Sequence, residues 1–339
     1  MKILVTGGAG FIGSHTVVEL HEAGFEPVIL DNLYNSNREV LNGIKGITGK
    51  DFPFYEIDCN DIEKVRAVFE KEKFDGVIHF AAYKAVGESV EKPLNYYENN
   101  IISLLVLLKV MKEYNVDKFV FSSSCTVYGQ PDALPVTEST PRKPANSPYG
   151  NTKAIAEDII RDHVHSAPGI KAISLRYFNP IGAHKTSLIG ELPNGVPSNL
   201  VPFITQTAAG LRKSLTVFGS DYDTADGTCV RDFIHVVDLA KAHLKALQLL
   251  DAQTEKNYYD VFNVGTGQGY TVLELINTFE KVSGEKLNYS IGPRREGDVE
   301  KIYAQSDKVN SVMKWTAEKT MADALLDAWN WQLKITPKK

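Results

Sequence analysis

The first thirteen residues restrict the fold more than any other stretch of this 339-residue chain. An apolar run, Lys2-Ile3-Leu4-Val5-Thr6, passes directly into Gly7-Gly8-Ala9-Gly10-Phe11-Ile12-Gly13 and then into a helix-length segment. A short run of Val, Ile and Leu suits a strand buried on both faces. Gly7, Gly10 and Gly13, spaced Gly-x-x-Gly-x-x-Gly, let the chain turn tightly and let another group approach the backbone where a helix begins. Free N–H groups and the helix dipole favour an anion such as a pyrophosphate there. The spacing departs from the common Gly-x-Gly-x-x-Gly form, so by itself the turn also suits a purely structural role. Asp31 narrows the choice. It closes the second apolar run 18 residues after Gly13, where a carboxylate can accept from both adenosine ribose hydroxyls and would repel a 2′-phosphate. NAD is therefore expected rather than NADP.

The same alternation continues through the first half. Strands are expected at 2–6, 27–31, 76–80, 118–122 and 172–176, with helices at 12–23, 62–72, 94–114 and 149–165. This order predicts an α/β protein built on a Rossmann-type, doubly wound parallel sheet. After Asn179-Pro180, residues 181–200 are rich in Gly and Pro and lack periodicity, which marks a long loop of the kind that often carries function. Helices are then expected at 200–211, 237–250, 272–283, 307–314 and 321–332, and strands at 215–218, 231–235, 261–264 and 288–291. The predicted division is a dinucleotide-binding domain over 1–180, joined by strand and helix from about 229–264, and a smaller C-terminal α/β substrate lobe over 181–339.

A net charge of −5 gives no general basic field for nucleic acid, and Lys338-Lys339 reads as a solvated tail. Cys59, Cys125 and Cys229 are spaced for neither a disulfide framework nor zinc, and no metal is expected. No signal peptide opens the sequence and no apolar run approaches the ~20 residues of a membrane span, so a cytoplasmic location is expected.

Tyr149 and Lys153 stand four apart, on one face of a helix. A free phenol has a pKa near ~10, and an adjacent ammonium lowers it toward the range of a working base. Such pairs also occur on ordinary amphipathic helices. Position favours chemistry: Ser122-Ser123-Ser124 ends a strand at the sheet's carboxyl edge, where ligands of open α/β sheets bind, and Tyr149 begins the next helix.

The glycine turn, the serine closing a central strand and Tyr149-x-x-x-Lys153 resemble the extended short-chain dehydrogenase/reductase superfamily. Lys84-Ala-Val-Gly-Glu-Ser89, Ser122-Ser-Ser-Cys-Thr-Val-Tyr128, Arg176-Tyr-Phe-Asn-Pro180 and Arg294-Arg-Glu-Gly-Asp298 resemble its UDP-galactose 4-epimerase family over nearly the whole chain. The resemblance implies reversible oxidation at sugar carbon 4. Tyr149 as phenolate takes the hydroxyl proton, Lys153 lowers the phenol pKa and binds the nicotinamide ribose, and Ser124 bonds the reacting oxygen. NAD stays bound while a 4-keto sugar turns over and takes hydride back on its other face.

Cofactor contacts implied by the resemblance are Gly7, Gly10, Phe11, Ile12, Gly13, Asp31, Asn32, Asn35, Ser36, Asp58, Cys59, Phe80, Ala81, Ala82, Lys84, Asn99, Ser122, Tyr149, Lys153, Tyr177 and Phe178. The implied sugar-nucleotide contacts are Lys84, Ser124, Tyr149, Asn179, Asn199 and Leu200, with Thr216, Val217 and Phe218 at the uracil, Arg231 and Arg295 at the phosphates, Asp298 at the uridine ribose and Ile302 at the sugar. Arg231 beside Asp232 also suits a structural ion pair, and Asn179-Pro180 a turn.

Nucleotide-sugar dehydratases carry an acid where this chain has Cys125 and Thr126, so a 4,6-dehydratase is the lesser alternative. Ile302 stands where relatives often have Tyr, which leaves UDP-N-acetylhexosamines open as further or main substrates. A binding protein without chemistry, or an oxidoreductase releasing NADH, are the competing classes. Helices at 94–114 and 149–165 match the pair that joins dimeric relatives, and Leu104-Leu105-Val106-Leu107-Leu108 suits either a homodimer or packing on its own sheet.

Overall fold

The apolar runs expected as strands pair side by side in the computed structural model, which describes residues 1–166, 169–295 and 298–336. Lys338-Lys339 lies outside the described residues. The first half runs β1 (Lys2–Thr6), α1 (Phe11–Glu22), β2 (Glu26–Asp31), α2 (Glu39–Thr48), β3 (Phe54–Glu56), α3 (Ile62–Glu72), β4 (Gly76–His79), α4 (Val86–Glu91), α5 (Pro93–Glu113), β5 (Lys118–Ser122), α6 (Pro148–Ser166) and β6 (Lys171–Tyr177). The second half runs β7 (Asn179–Ile181), α7 (Leu200–Ala208), β8 (Leu215–Phe218), β9 (Val230–Arg231), β10 (Phe233–His235), α8 (Val236–Ala252), β11 (Tyr258–Val264), β12 (Tyr270–Thr271), α9 (Val272–Ser283), β13 (Tyr289–Gly292), β14 (Lys301–Ile302), α10 (Asp307–Met313) and α11 (Met321–Ile335).

Among the described residues the main sheet has seven strands in the order β11-β6-β5-β4-β1-β2-β3. All its neighbouring pairs are parallel. The chain winds outward from β1 through β2 to β3, then returns to β1's other side with β4. The connections after β1 and β4 therefore part, opening a crevice at the carboxyl edge of the sheet. Alternation along β1 sends Ile3 and Val5 to one face and Leu4 to the other. The first face is covered by α1 and α8, the second by α3, α5 and α6. Strand β11 pairs with β6 in seven-residue register, so the second half of the chain supplies an edge of the first half's sheet. A separate core holds Leu215, Val217, Leu275, Phe279 and Trp329 and forms the second lobe.

Helix α6 opens on Pro148, whose missing N–H costs nothing at the first helical position. The Ser147 hydroxyl accepts from Gly150 N at 3.2 Å. Tyr149, Thr152, Lys153, Ala156, Glu157, Ile160 and Val164 face inward at the helical period. The expected strand 231–235 is two strands. Asp232 divides it because its carboxylate accepts from the backbone N–H groups of Thr266, Gly267 and Ala304. On either side, β9 pairs with β12 and β14, and β10 pairs with β7. Asn179-Pro180 belongs to β7 rather than to a turn. Within the 104–108 run, Leu104, Val106, Leu107 and Leu108 pack into the chain's own core and Leu105 faces outward.

Candidate active site

A cavity of about 860 Å³ lies along the carboxyl edge of the main sheet, from the glycine turn to α6 and the second lobe. At one end, Gly7 has φ +68°, and a Cβ there would lie 2.8 Å from Ala81 N. A Cβ on Gly13 would meet Gly7 O at 2.2 Å. Without side chains at these points β1, α1 and the strand-end of β4 close together. Helix α1 then starts with no side-chain cap and no acid in its first turn, leaving its N-terminus available to an anion.

Asp31 accepts from Leu33 N at 2.8 Å, Ser36 Oγ at 3.0 Å and Ala9 N at 3.1 Å. Burial pushes its carboxyl above the usual range, and these donors oppose that shift. A carboxylate has about four lone-pair sites, so acceptor capacity remains for a ribose hydroxyl. The wall continues with Phe11, Ile12, Asn32, Asn35, Ser36, Asp58, Cys59, Phe80, Ala81, Ala82, Lys84 and Asn99. Asn32 Nδ2 donates to Asp58 Oδ2 at 3.1 Å, linking the ends of β2 and β3. This cradle fits a dinucleotide: Gly7, Gly10, Gly13 and the start of α1 would hold a pyrophosphate, and Asp31 an adenosine ribose.

Tyr149, Lys153 and Tyr177 form the cavity's inner wall. Lys153 Nζ donates to the Ser122 carbonyl at 2.8 Å and sits 4.8 Å from the Phe121 ring centroid and 5.9 Å from that of Tyr149. Burial lowers the Lys153 ammonium to about 7, against the support of Glu157. The Tyr149 phenol is raised well above its ordinary value, first by burial and then by Tyr177, with a hydrogen bond to Ser124 opposing. In the protein by itself desolvation dominates at the phenol, while the Lys153 amine points to the Ser122 carbonyl. The Ser124 oxygen accepts from Thr126 N at 3.2 Å and from Thr126 Oγ1 at 3.0 Å, so its own proton is free to serve Tyr149. Ser124 caps the short helical turn Cys125–Tyr128 and lies beside the cavity, not in its wall.

Behind the wall stands a buried network. Ser123 Oγ donates to Glu157 Oε1 at 2.6 Å, and Arg176 Nη2 to Glu157 Oε2 at 2.6 Å. Arg176 Nη1 donates to Tyr128 OH at 3.0 Å, which donates to Asn263 Oδ1 at 2.6 Å. Four elements are thereby tied to α6 one turn below Lys153.

The sugar-nucleotide residues divide. Asn199 and Arg295 join Lys84 and Tyr149 in the cavity wall, whereas Asn179, Leu200, Thr216, Val217, Phe218, Arg231, Asp298 and Ile302 do not line it. Arg231 pairs with Asp298 at 3.3 Å rather than with Asp232. Val217 turns its side chain into the second lobe's core, because β8 alternates; only Thr216 and Phe218 face outward. Ile302 is packed with Cys125 and Phe178, since β14 is held against Arg231 of β9. Ser122 enters through its carbonyl rather than as a wall residue. Unexpected wall residues include Tyr34, Tyr83, Glu88, Tyr96, Glu191, Leu192 and Ser198. The Gly- and Pro-rich character of 181–200 was the signal for the last three.

Residues 3–265 match the model of the NAD dependent epimerase/dehydratase family. UDP-glucose 4-epimerase of Bacillus subtilis is 51% identical over 98% of this chain and 97% of its own length. The chain belongs to the NAD dependent epimerase/dehydratase family. Within that family it groups with the UDP-glucose 4-epimerases: that of Drosophila melanogaster is 50% identical over 97% of this chain and 96% of its own. The crystal structure of the Bifidobacterium longum UDP-glucose 4-epimerase, in complex with NAD⁺ and UDP, is 47% identical with a TM-score of 0.95, covering 99% of each chain.

Proposed function

We propose that the chain is an isomerase that interconverts UDP-galactose and UDP-glucose by transient oxidation at sugar carbon 4, with NAD retained throughout. The carrying observation is that Tyr149 and Lys153 meet in the wall of a single cavity whose far end is the glycine turn and Asp31. Residues 1–180, with the segment from about 229–264, serve as the NAD-binding domain, and 181–339 mainly as the UDP-sugar lobe.

When bound, NAD⁺ supplies a reversible hydride acceptor for carbon 4 and a positive charge that favours the phenolate. Tyr149 Oη takes and returns the 4-hydroxyl proton. Ser124, whose oxygen is already occupied by Thr126, has one proton, which it donates to that phenol in the protein by itself and to the reacting oxygen once the sugar is bound. Lys153, anchored by Ser122 O, keeps a cation beside the pair when protonated. Arg295 and Asn199 orient the diphosphate and sugar, and Arg231 and Asp298 exchange their mutual bond for phosphate and ribose. Cys125 and Thr126 offer no carboxyl for elimination, which argues against a 4,6-dehydratase. A homodimer through α5 and α6 and a cytoplasmic location belong to the same proposal; among the described residues no helix is long and apolar enough to cross a membrane.

The test is incubation of purified protein with UDP-galactose and no added NAD. UDP-glucose should form without accumulating NADH, and Tyr149→Phe should lower turnover by roughly 10²–10⁴-fold. A 4-keto-6-deoxy product, free NADH, or near-native turnover in the variant would each sink the proposal.

A further inference from the structure

The segment between β7 and α7 carries a carboxylate outside the roles assigned above. Glu191 lies in the cavity wall with its side chain 10% exposed. Its Oε1 accepts from Lys84 Nζ at 3.1 Å and from Asn199 Nδ2 at 2.6 Å. Among the described residues, Oε2 takes no protein donor. Lys84 follows β4 of the main sheet and Asn199 caps α7 of the second lobe, so a single oxygen joins the two sides of the cavity.

The backbone that aims this carboxylate is fixed independently. Trp331 Nε1 of α11 donates to the Glu191 carbonyl at 3.0 Å. A Cβ at Gly190 would lie 2.5 Å from Trp331 Cγ, so glycine lets the indole pack flush against the strand bridge of Gly190 with Ala183. Charge placement completes the picture. Lys92 in the cavity wall is paired with Glu88, Lys84 with Glu191, and Arg295 with no acid among the described residues.

We propose that Glu191 is a positioning residue that sets the register of the sugar nucleotide, a role that rests on the function proposed above. Its charge cancels that of Lys84 and keeps a diphosphate off that lysine, so the phosphates settle on Arg295, which reaches toward Gly87, and the hexose at Tyr149. Its oxygen also holds the Asn199 amide ready for the ligand.

The experiment compares the NAD-loaded native chain, Glu191→Gln and Glu191→Gln/Lys84→Met by calorimetric titration with UDP, kinetics on UDP-galactose and thermal unfolding. Glu191→Gln keeps the acceptor for Asn199 and loses the charge. It should keep the native melting temperature and bind UDP roughly three- to fivefold tighter, the scale of one partly screened charge. Its kcat should fall by about tenfold or more with no rise in KM, because UDP-sugar settles out of register. Adding Lys84→Met should return UDP affinity to the native level. UDP affinity in Glu191→Gln that is unchanged or weaker, or a parallel loss of kcat, affinity and melting temperature, overturns the proposal. Native turnover alongside unchanged UDP affinity removes only the role of Glu191, whereas absence of native turnover removes the proposed function and this role with it.

Discussion

Lys153 reaches the carbonyl of Ser122 from a position only 4% exposed, and burial there brings its ammonium from an ordinary value to about 7. An unfolded lysine titrates near ~10.4. Between those two values the folded chain binds fewer protons than the unfolded one, so stability rises with pH across that window and falls as pH drops through about 7. Below it, folding carries the full cost of burying an ammonium. Lys153→Met keeps most of the side chain's reach without the charge. It should abolish turnover while raising the melting temperature above native at pH 6, with the difference narrowing toward pH 10. Calorimetric melts across that range decide it; a difference independent of pH would refute this account of Lys153. That Tyr149 and Lys153 share a helix face was legible from their four-residue spacing, and their place after Ser122-Ser123-Ser124 gave that face its meaning. The electrostatics of the pair were not legible, because spacing says nothing about desolvation, and desolvation sets the direction at both residues.

Helix α6 was equally legible as an element, yet what holds it was not. In the fold Glu157 is clamped by Arg176 of β6 and Ser123 at the end of β5. Nothing local records a partnership between a helix and two strands. Burial works against the Arg176 charge, but Glu157 more than restores it and the guanidinium stays firmly protonated. Breaking such a buried pair from one side strands a charge, which costs about 3–5 kcal/mol. Arg176→Met should therefore lower unfolding free energy by that amount in urea titrations and reduce kcat, since α6 carries both Tyr149 and Lys153. The double variant Glu157→Leu/Arg176→Met should recover much of the stability and little of the activity. Additive losses in the two single variants and the double would show that the pair is not coupled. The same logic explains where the side chains of two strand-borne residues lie. Thr216-Val217-Phe218 was legible as a strand, but alternation turns Val217 inward. Ile302 follows β14 into the core beside Cys125 because short strand pairing, invisible in so brief a run, fixes its side.

At the scale of the molecule, the two halves of the sequence are not two independent bodies. Helix α8 covers Val17, Val18 and Leu20 of α1 on one face of the main sheet, and β11 closes that sheet beside β6. Alternating apolar runs were enough to foresee the sheet, and the return of a later segment was expected from 229–264; which edge it would take depended on pairing that no local pattern encodes. The outer surface of the other face is less complete. On α5, Leu94 is 78% exposed, and Ile102 and Leu105 follow it at helical spacing on the outward side. Next to α5 packs α6, with Ile155 and Ile159 half-buried. Two copies of this helix pair, related by a twofold axis, would cover these apolar side chains in a four-helix seam. The run 104–108 contributes only Leu105 to such a seam, because its other members are spent on the chain's own core. Light scattering on the eluting native protein should give twice the mass of the chain at micromolar concentration. Ile102→Asp/Leu105→Asp replaces two apolar side chains of the seam by charges that pairing would have to desolvate, and should give a single-chain mass. Turnover should persist in that variant, since Ser124, Tyr149, Lys153, Asp31 and Asn199 all come from one chain. A native protein that elutes as a single chain, or a charged variant that still pairs, would show that α5 and α6 are not where two copies meet.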